Sequence, residues 1–269
     1  MKIYIGMIAY NEEIFIEASL KSIYDYVDEI IVIDGSQWGP STDKTVKIAQ
    51  SVGQKVKVIS GTFKHPKSTD HKKLQRQAYI DNMEKGLNNW CILHDADEVF
   101  DSDNIIRLID YLQHANKNTM LFSYKCLHFF RDCWHIITGG QWDISRGVGA
   151  FRLVPGVRQI NHHRVGLPNT GNGFQALSVP GNIVLDDVMF YHYGHATTKE
   201  KFEFKSYFYF LRGGAGRKGY RLDQWEKYHK EVCLPEFENR MKRSNVKLYD
   251  GIHPKYIQPL IGTFWKKNG

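Results

Sequence analysis

The chain has 269 residues, 42% of them hydrophobic, enough to bury a full core without disulfide or metal staples. Its four cysteines, Cys91, Cys126, Cys133 and Cys233, form no C-x-x-C pair and no zinc-module spacing, so they read as reduced thiols. The formal charge of +7 favours anionic partners, and no run reaches the roughly 18 to 20 apolar residues that cross a bilayer.

The opening MKIYIGMIAY is followed too closely by Asn11, Glu12 and Glu13 to be a signal peptide, and IYIGMIA reads as a first strand. Ile16, Leu20, Ile23 and Val27 then recur at helical spacing and predict a helix over residues 14–26. EIIVIDG is the second strand. Ser41, Thr42 and Asp43 cap a helix through Thr45, Val46, Ile48 and Ala49, and KVKVISG is the third strand. A helix over residues 72–87 precedes NNWCILHDAD, a strand ending on acidic residues, followed by a helix over 102–113 and the strand TMLFSYKCLHF. Such alternation predicts an α/β fold with a mostly parallel central sheet flanked by helices.

After Phe130 the alternation gives way to an irregular acceptor-side region, with short strand-like pieces GAFRLV and VMFYHYGH. The aromatic stretch 199–212 is predicted as a helix that packs on the body or touches lipid. Basic residues gather late, at Arg212, Arg217, Lys218, Arg221, Arg240, Lys242, Arg243, Lys266 and Lys267. Residues 1–130, 131–198 and 199–269 are read as three segments of one continuous domain with an appendage.

Strands one, two and the strand before Asp95 all end on polar residues, at the edge where open α/β sheets place their ligands. Asp95 and Asp97 in HDADEVF are two carboxylates one residue apart. At a strand end they can converge on a hard cation that also takes diphosphate oxygens. A lone D-x-D is common in turns. Here it stands in order after AYNEE and after IVIDGS with STDKT, and over residues 1–110 this set resembles the GT-A glycosyltransferases of family 2.

The resemblance implies a GT-A, Rossmann-like fold, a nucleoside-diphosphate sugar donor with UDP foremost, and a divalent metal, Mn2+ or Mg2+. It implies that Ala9, Tyr10, Asn11 and Glu12 line the base, and that Asp34 binds base or ribose. Asp97 and Asp95 would hold the metal, with Asp95 also on the ribose or a metal-bound water, and Ala96 between them would line the nucleotide sugar. A basic residue among Lys72, Lys73 and Arg76 faces the donor phosphates, and Arg76 is the choice. FYHYGHA resembles the family's H-Y-G segment, which makes His192, ahead of His195, a metal ligand.

Two departures stand out. Gln37, Trp38, Gly39 and Pro40 interrupt the usual compact D-G-S-T-D, leaving the role of Asp43 open and Trp38 as an exposed aromatic near the site. Where relatives carry a V-H-E triplet, this chain has Asn161, His162, His163 and Arg164 with no carboxylate. Either a histidine, His163, acts as the acceptor base, or Asp143 or Asp187 substitutes, or the reaction retains configuration without that base.

The activity expected is hexosyl transfer to an acceptor hydroxyl on a saccharide, a lipid-linked sugar or a protein, in the cytoplasm. Peripheral membrane contact through the basic, aromatic C-terminal region stays open, and no nucleic-acid partner is expected. One alternative is an inactive relative that only binds sugar nucleotide. Another is a basic nucleic-acid module using Tyr207, Phe208 and Tyr209, which leaves the three acidic strand ends unexplained. Nucleotidyl transfer would want a glycine-rich, basic loop after strand one, and AYNEE is acidic.

Overall fold

A computed structural model describes residues 1–64, 71–139, 149–161, 164–166, 182–211, 219–239, 242–243 and 245–265. The strands are β1 (Ile3–Ala9), β2 (Glu29–Ser36), β3 (Val56–Thr62), β4 (Trp90–Leu93), β5 (Glu98–Val99), β6 (Leu121–Phe130), β7 (His135–Ile137), β8 (Ala150–Arg152), β9 (Arg158–Asn161), β10 (Arg164–Gly166), β11 (Asn182–His195) and β12 (Val246–Leu248). The helices are α1 (Ile16–Ile23), α2 (Thr45–Ser51), α3 (His71–Asp81), α4 (Ser102–Gln113), α5 (Lys199–Leu211), α6 (Trp225–Tyr228) and α7 (Leu234–Asn239).

One large sheet runs β12-β7-β6-β8-β4-β1-β2-β3, with β11 paired to β6 and β5. The segment β3-β2-β1-β4 is parallel, as is the long β6–β11 pair, while β8, β7, β12 and β5 join antiparallel. Helices cover both faces, so β1 and β4 are buried throughout and their sequences run apolar without alternation. Period-two geometry still sorts the side chains. Ile3, Ile5, Met7, Ile30 and Val32 meet α1 and α4 through Ile16, Leu20, Ile105 and Leu108. Tyr4, Ile8, Ile31 and Ile33 point the other way, onto Tyr79 and Ile80 of α3.

Register aligns the strand exits. Ala9 lies beside Asp34, and Leu93 beside Gly6, so the loops after β1, β2 and β4 open on one edge. The mostly parallel α/β sheet flanked by helices is therefore present as predicted.

Element ends differ from the sequence reading for local reasons. The first helix stops at Ile23 and tightens into a 3-10 turn, Tyr24–Tyr26. α3 ends at Asp81 rather than at 87, because Asn82 Nδ2 and Lys85 Nζ take the carbonyls of Ala78 and Ile80 that a longer helix would use. The strand before Asp95 shortens to four residues, since the backbone turns there and Glu98 N–H donates to the Asp95 carbonyl at 3.0 Å.

The aromatic helix α5 buries some of its rings and leaves Phe204, Tyr207 and Tyr209 exposed. Phe202 and Phe210 are buried with Tyr228, Cys233 and Phe237 in a separate small core, and Tyr207 packs on Trp225 at 4.8 Å. Among the described residues no helix is long and apolar enough to cross a membrane.

Candidate active site

The loops after β1 and β2 are laced together. Asn11 adopts a left-handed backbone (φ 53°), which asparagine tolerates better than most residues, and its N–H donates to Ser41 Oγ at 2.8 Å. Thr42 N–H donates to Asn11 Oδ1 at 2.8 Å, and Glu12 N–H to Thr45 Oγ1 at 2.7 Å. Asp43 Oδ1 accepts from Thr45 N–H at 2.9 Å, so the four-residue insertion leaves Asp43 an architectural part of this loop pair. Trp38 is 46% exposed and sits edge-on to Phe208 of α5 at 4.7 Å.

Asp34 is fully buried at the end of β2. Its Oδ2 accepts from Ser41 N–H at 3.2 Å, and its Oδ1 has no hydrogen-bond partner. Buried polar atoms are nearly always paired, so this oxygen is an unused acceptor at the strand end. Gly35 beside it has φ +133°, and a Cβ there would lie 2.1 Å from the Gly61 carbonyl, so no other residue fits.

The acidic pair divides its work. Asp95 Oδ1 receives Arg76 at 3.2 Å, and the Asp95 N–H donates to Glu98 Oε2 at 2.8 Å. Asp97 points into the cleft: its Oδ1 lies 3.5 Å from His192 Nε2 and its Oδ2 lies 3.2 Å from Lys205 Nζ. Burial works against the Asp97 carboxylate, but Lys205 and His192 outweigh it and hold its pKa well below the ordinary value. Burial likewise disfavours the Lys205 ammonium, and Glu12 at 3.3 Å together with Asp97 raises its pKa instead. Lys201 pairs with Glu12 at 3.3 Å and donates to the Asn11 carbonyl.

His192 reaches this point because β11 lies between β5 and β6, placing it opposite Glu98 and beside His128. The Nδ1 atoms of His128 and His192 are 2.8 Å apart. Burial first, and then His192, push the His128 pKa down to about 3.

Asp97 and His192 fit a divalent cation. Ligand bonds of roughly 2.1 Å put two donors on one ion about 3 to 3.5 Å apart, which matches the Oδ1 to Nε2 separation. A Cβ on Gly194 would lie 2.4 Å from Asp97 Oδ2 and 2.6 Å from His192 Nε2, so any other residue there would displace both groups. One carboxylate and one imidazole make a mixed oxygen and nitrogen donor pair for a divalent metal.

Two cavities meet at Asp97. The smaller, about 120 Å3, is lined by Ala9, Tyr10, Glu12, Gly35, His71, Gln75, Ala96 and Phe208. The larger, about 580 Å3, is lined by His192, His195, Thr197, Tyr228 and Glu236. Lys72, Asp95, Asp97, Lys205 and Tyr209 border both.

Of the residues expected from sequence, Ala9, Tyr10, Glu12, Asp95, Ala96, Asp97 and His192 converge on these cavities, while Asn11, Asp34 and Arg76 border neither. Arg76 departs from its expected place on the phosphates. It lies one turn deeper than Lys72 on α3, where Asp95 engages it, and Lys72 is the basic residue of α3 that borders the cleft. Asp187 is also displaced. A register irregularity in β11 between Leu185 and Met189 leaves it exposed, bonded to Tyr111 at 3.1 Å and away from both cavities. Asp143 and His163 lie outside the described residues.

Sequence reasoning missed Lys201 and Lys205, and named Phe208 only for the nucleic-acid alternative. Lys201 with Lys205, and Phe204 with Phe208, are i, i+4 pairs on α5, and this double stripe was the available signal that one face of the helix turns to an acidic, aromatic site.

Residues 4–163, more than half of the chain, match the family described as Glycosyl transferase family 2. No curated protein matches the chain significantly in sequence. Among solved structures, the chain is similar to glucosyl-3-phosphoglycerate synthase from Mycobacterium tuberculosis, solved with Mn2+, UDP and glucosyl-3-phosphoglycerate, at 21% identity over 46% of this chain and 44% of that one (TM-score 0.35). It therefore spans less than half the length of that synthase. It is also similar to S. aureus TarS 1-349 solved with UDP, at 14% identity over 91% of this chain and 73% of that one (TM-score 0.44). On the extent of the family match, this chain belongs to glycosyl transferase family 2.

Proposed function

We propose that the protein is a metal-dependent glycosyltransferase that moves a sugar from a nucleoside diphosphate, UDP foremost, to an acceptor hydroxyl. The observation that carries this reading is the notch over Gly194, where Asp97 Oδ1 and His192 Nε2 face each other across 3.5 Å. A divalent cation held there supplies charge stabilisation to the departing diphosphate.

The chain's own groups do the rest. Asp34 Oδ1, buried without a partner next to Gly35 of the smaller cavity, is to accept an N–H of the base once the cavity opens toward it, and the imide N–H of uracil meets that need. Lys72 and Lys205 border the passage between the cavities and face the diphosphate. Arg76 fixes Asp95, leaving Asp97 for the cation. The larger cavity, beyond Asp97 and His192, receives the acceptor. For the acceptor proton the proposal keeps His163 and Asp143 and drops Asp187.

The test is calorimetric titration of UDP, GDP, CMP and dTDP, with and without Mn2+, into the parent and Asp97→Asn. Metal-dependent binding of one nucleotide, lost in the variant, is expected and names the nucleoside. No binding of any nucleotide, with the two proteins alike, overturns the reading.

A further inference from the structure

We propose that His128 is a positioning residue for the metal site: when a cation binds, it accepts a hydrogen bond from His192 Nδ1–H, so that the bare Nε2 of His192 faces the space beside Asp97. The inference rests on the functional reading above, in which His192 is a ligand.

Parallel pairing of β6 with β11 brings His128 and His192 into register, 64 residues apart in sequence. Their rings meet nearly at right angles (88°), with the Nδ1 atoms 2.8 Å apart. At that distance two lone pairs repel and two N–H groups collide, so one nitrogen donates and the other accepts.

The direction of this bond decides what His192 offers at its far side. A neutral imidazole carries one N–H. Without a cation His192 acts as a donor toward Asp97. With a cation between Nε2 and Asp97 Oδ1, 3.5 Å apart, the hydrogen belongs on Nδ1, given to His128, and the Nε2 lone pair goes to the metal. Histidine ligands commonly have their orientation and tautomer set by a partner on the other ring nitrogen. Among the described residues His128 is the group placed to do this.

Cys126, two residues before His128 on β6, stands beside this bond. Its Sγ lies 3.8 Å from His128 Nδ1, the nitrogen whose single lone pair His192 engages. The same three residues also define the competing arrangement. Ligand atoms of Cys126, His128 and His192 lie within 4.8 Å of one another, close enough for a thiophilic cation, which would make His192 Nδ1 a ligand instead of a donor.

The experiment measures Mn2+ affinity by electron paramagnetic resonance at saturating UDP, in the parent, His128→Asn and His128→Leu. Asparagine places a carbonyl oxygen close to the position of Nδ1 and keeps an acceptor, whereas leucine removes it. The expected result is Mn2+ affinity weakened about 10- to 100-fold in His128→Leu, with most of it recovered in His128→Asn. With Mg2+ bound, long-range proton–nitrogen spectra should show His192 protonated at Nδ1 in the parent and redistributed in His128→Leu. Equal affinity in all three proteins overturns the inference, as does an equal loss in both variants. Tight Zn2+ binding in the parent that Cys126→Ser abolishes overturns it too. A parent that takes up no Mn2+ with any nucleotide overturns the functional reading along with it, whereas normal uptake by the parent and by His128→Leu overturns this inference alone.

Discussion

Lys205 Nζ stands 3.2 Å from Asp97 Oδ2, on the carboxylate oxygen opposite the one that faces His192, and the two residues come from positions 108 apart in the chain. An internal ammonium thus already balances the acidic cleft. Removing one partner of a largely buried pair strands the other charge, at about 3 kcal/mol or more where burial is complete. Lys205 is 24% exposed on its side chain, so Lys205→Ala should lose roughly 2 kcal/mol in urea unfolding. Added Mn2+ should restore more stability in this variant than in the parent, because the cation relieves the same stranded carboxylates.

Gly194→Ala tests the notch directly. The new methyl falls within 2.6 Å of both Asp97 Oδ2 and His192 Nε2, so these groups must move apart. Mn2+ affinity should fall at least about tenfold, while thermal unfolding shifts by the equivalent of only about 1 to 3 kcal/mol expected of local overpacking. Unchanged Mn2+ binding would place the cation elsewhere.

Asp34→Asn should separate binding from stability. The amide keeps an oxygen for Ser41 N–H but puts an N–H in place of the unused acceptor Oδ1. A base N–H then meets a donor instead of an acceptor. Nucleotide affinity should fall about tenfold or more, the scale of a charge-assisted hydrogen bond, with unfolding free energy within about 1 kcal/mol of the parent.

The smaller cavity, about 120 Å3, is below the roughly 300 Å3 at which ligand pockets begin. Phe208 lines it, packed against Tyr10 at 5.3 Å and Trp38 at 4.7 Å. A nucleotide bound there should displace Phe208. Phe208→Ala should raise the association rate measured by stopped flow several-fold. An unchanged rate would mean that the base enters by another path.

His128 sets a pH dependence of defined sign. Its pKa falls from 6.5 to about 3 on folding, so below pH 6.5 the unfolded chain takes up a proton that the folded chain refuses. This contribution to stability is complete above pH 6.5 and is lost as the pH falls toward 3, with a slope of at most about 1.4 kcal/mol per pH unit. Between pH 7 and pH 4 the parent should therefore lose more unfolding free energy than His128→Asn. Parallel losses would show that His128 titrates normally in the fold.

Much of this architecture was legible along the chain. Apolar runs such as EIIVIDG and the helical spacing of Ile16, Leu20 and Ile23 are local patterns, and a parallel α/β sheet follows from their alternation. Because such sheets gather ligands at the carboxyl ends of their strands, Asp34, Asp95 and Asp97 could be picked out as neighbours before any contact was known. Tertiary structure alone decided which side chains face each other there. Arg76 turns to Asp95, Asp187 turns to solvent at a β11 irregularity, and Lys205 descends from α5 onto Asp97. His128 meets His192 only because β6 and β11 pair in parallel with that register. Periodicity encodes an element and the face it buries, since both depend on residues a few positions apart. The pairing of distant strands and the docking of α5 depend on the whole packed sheet, and so do the distances that make the site.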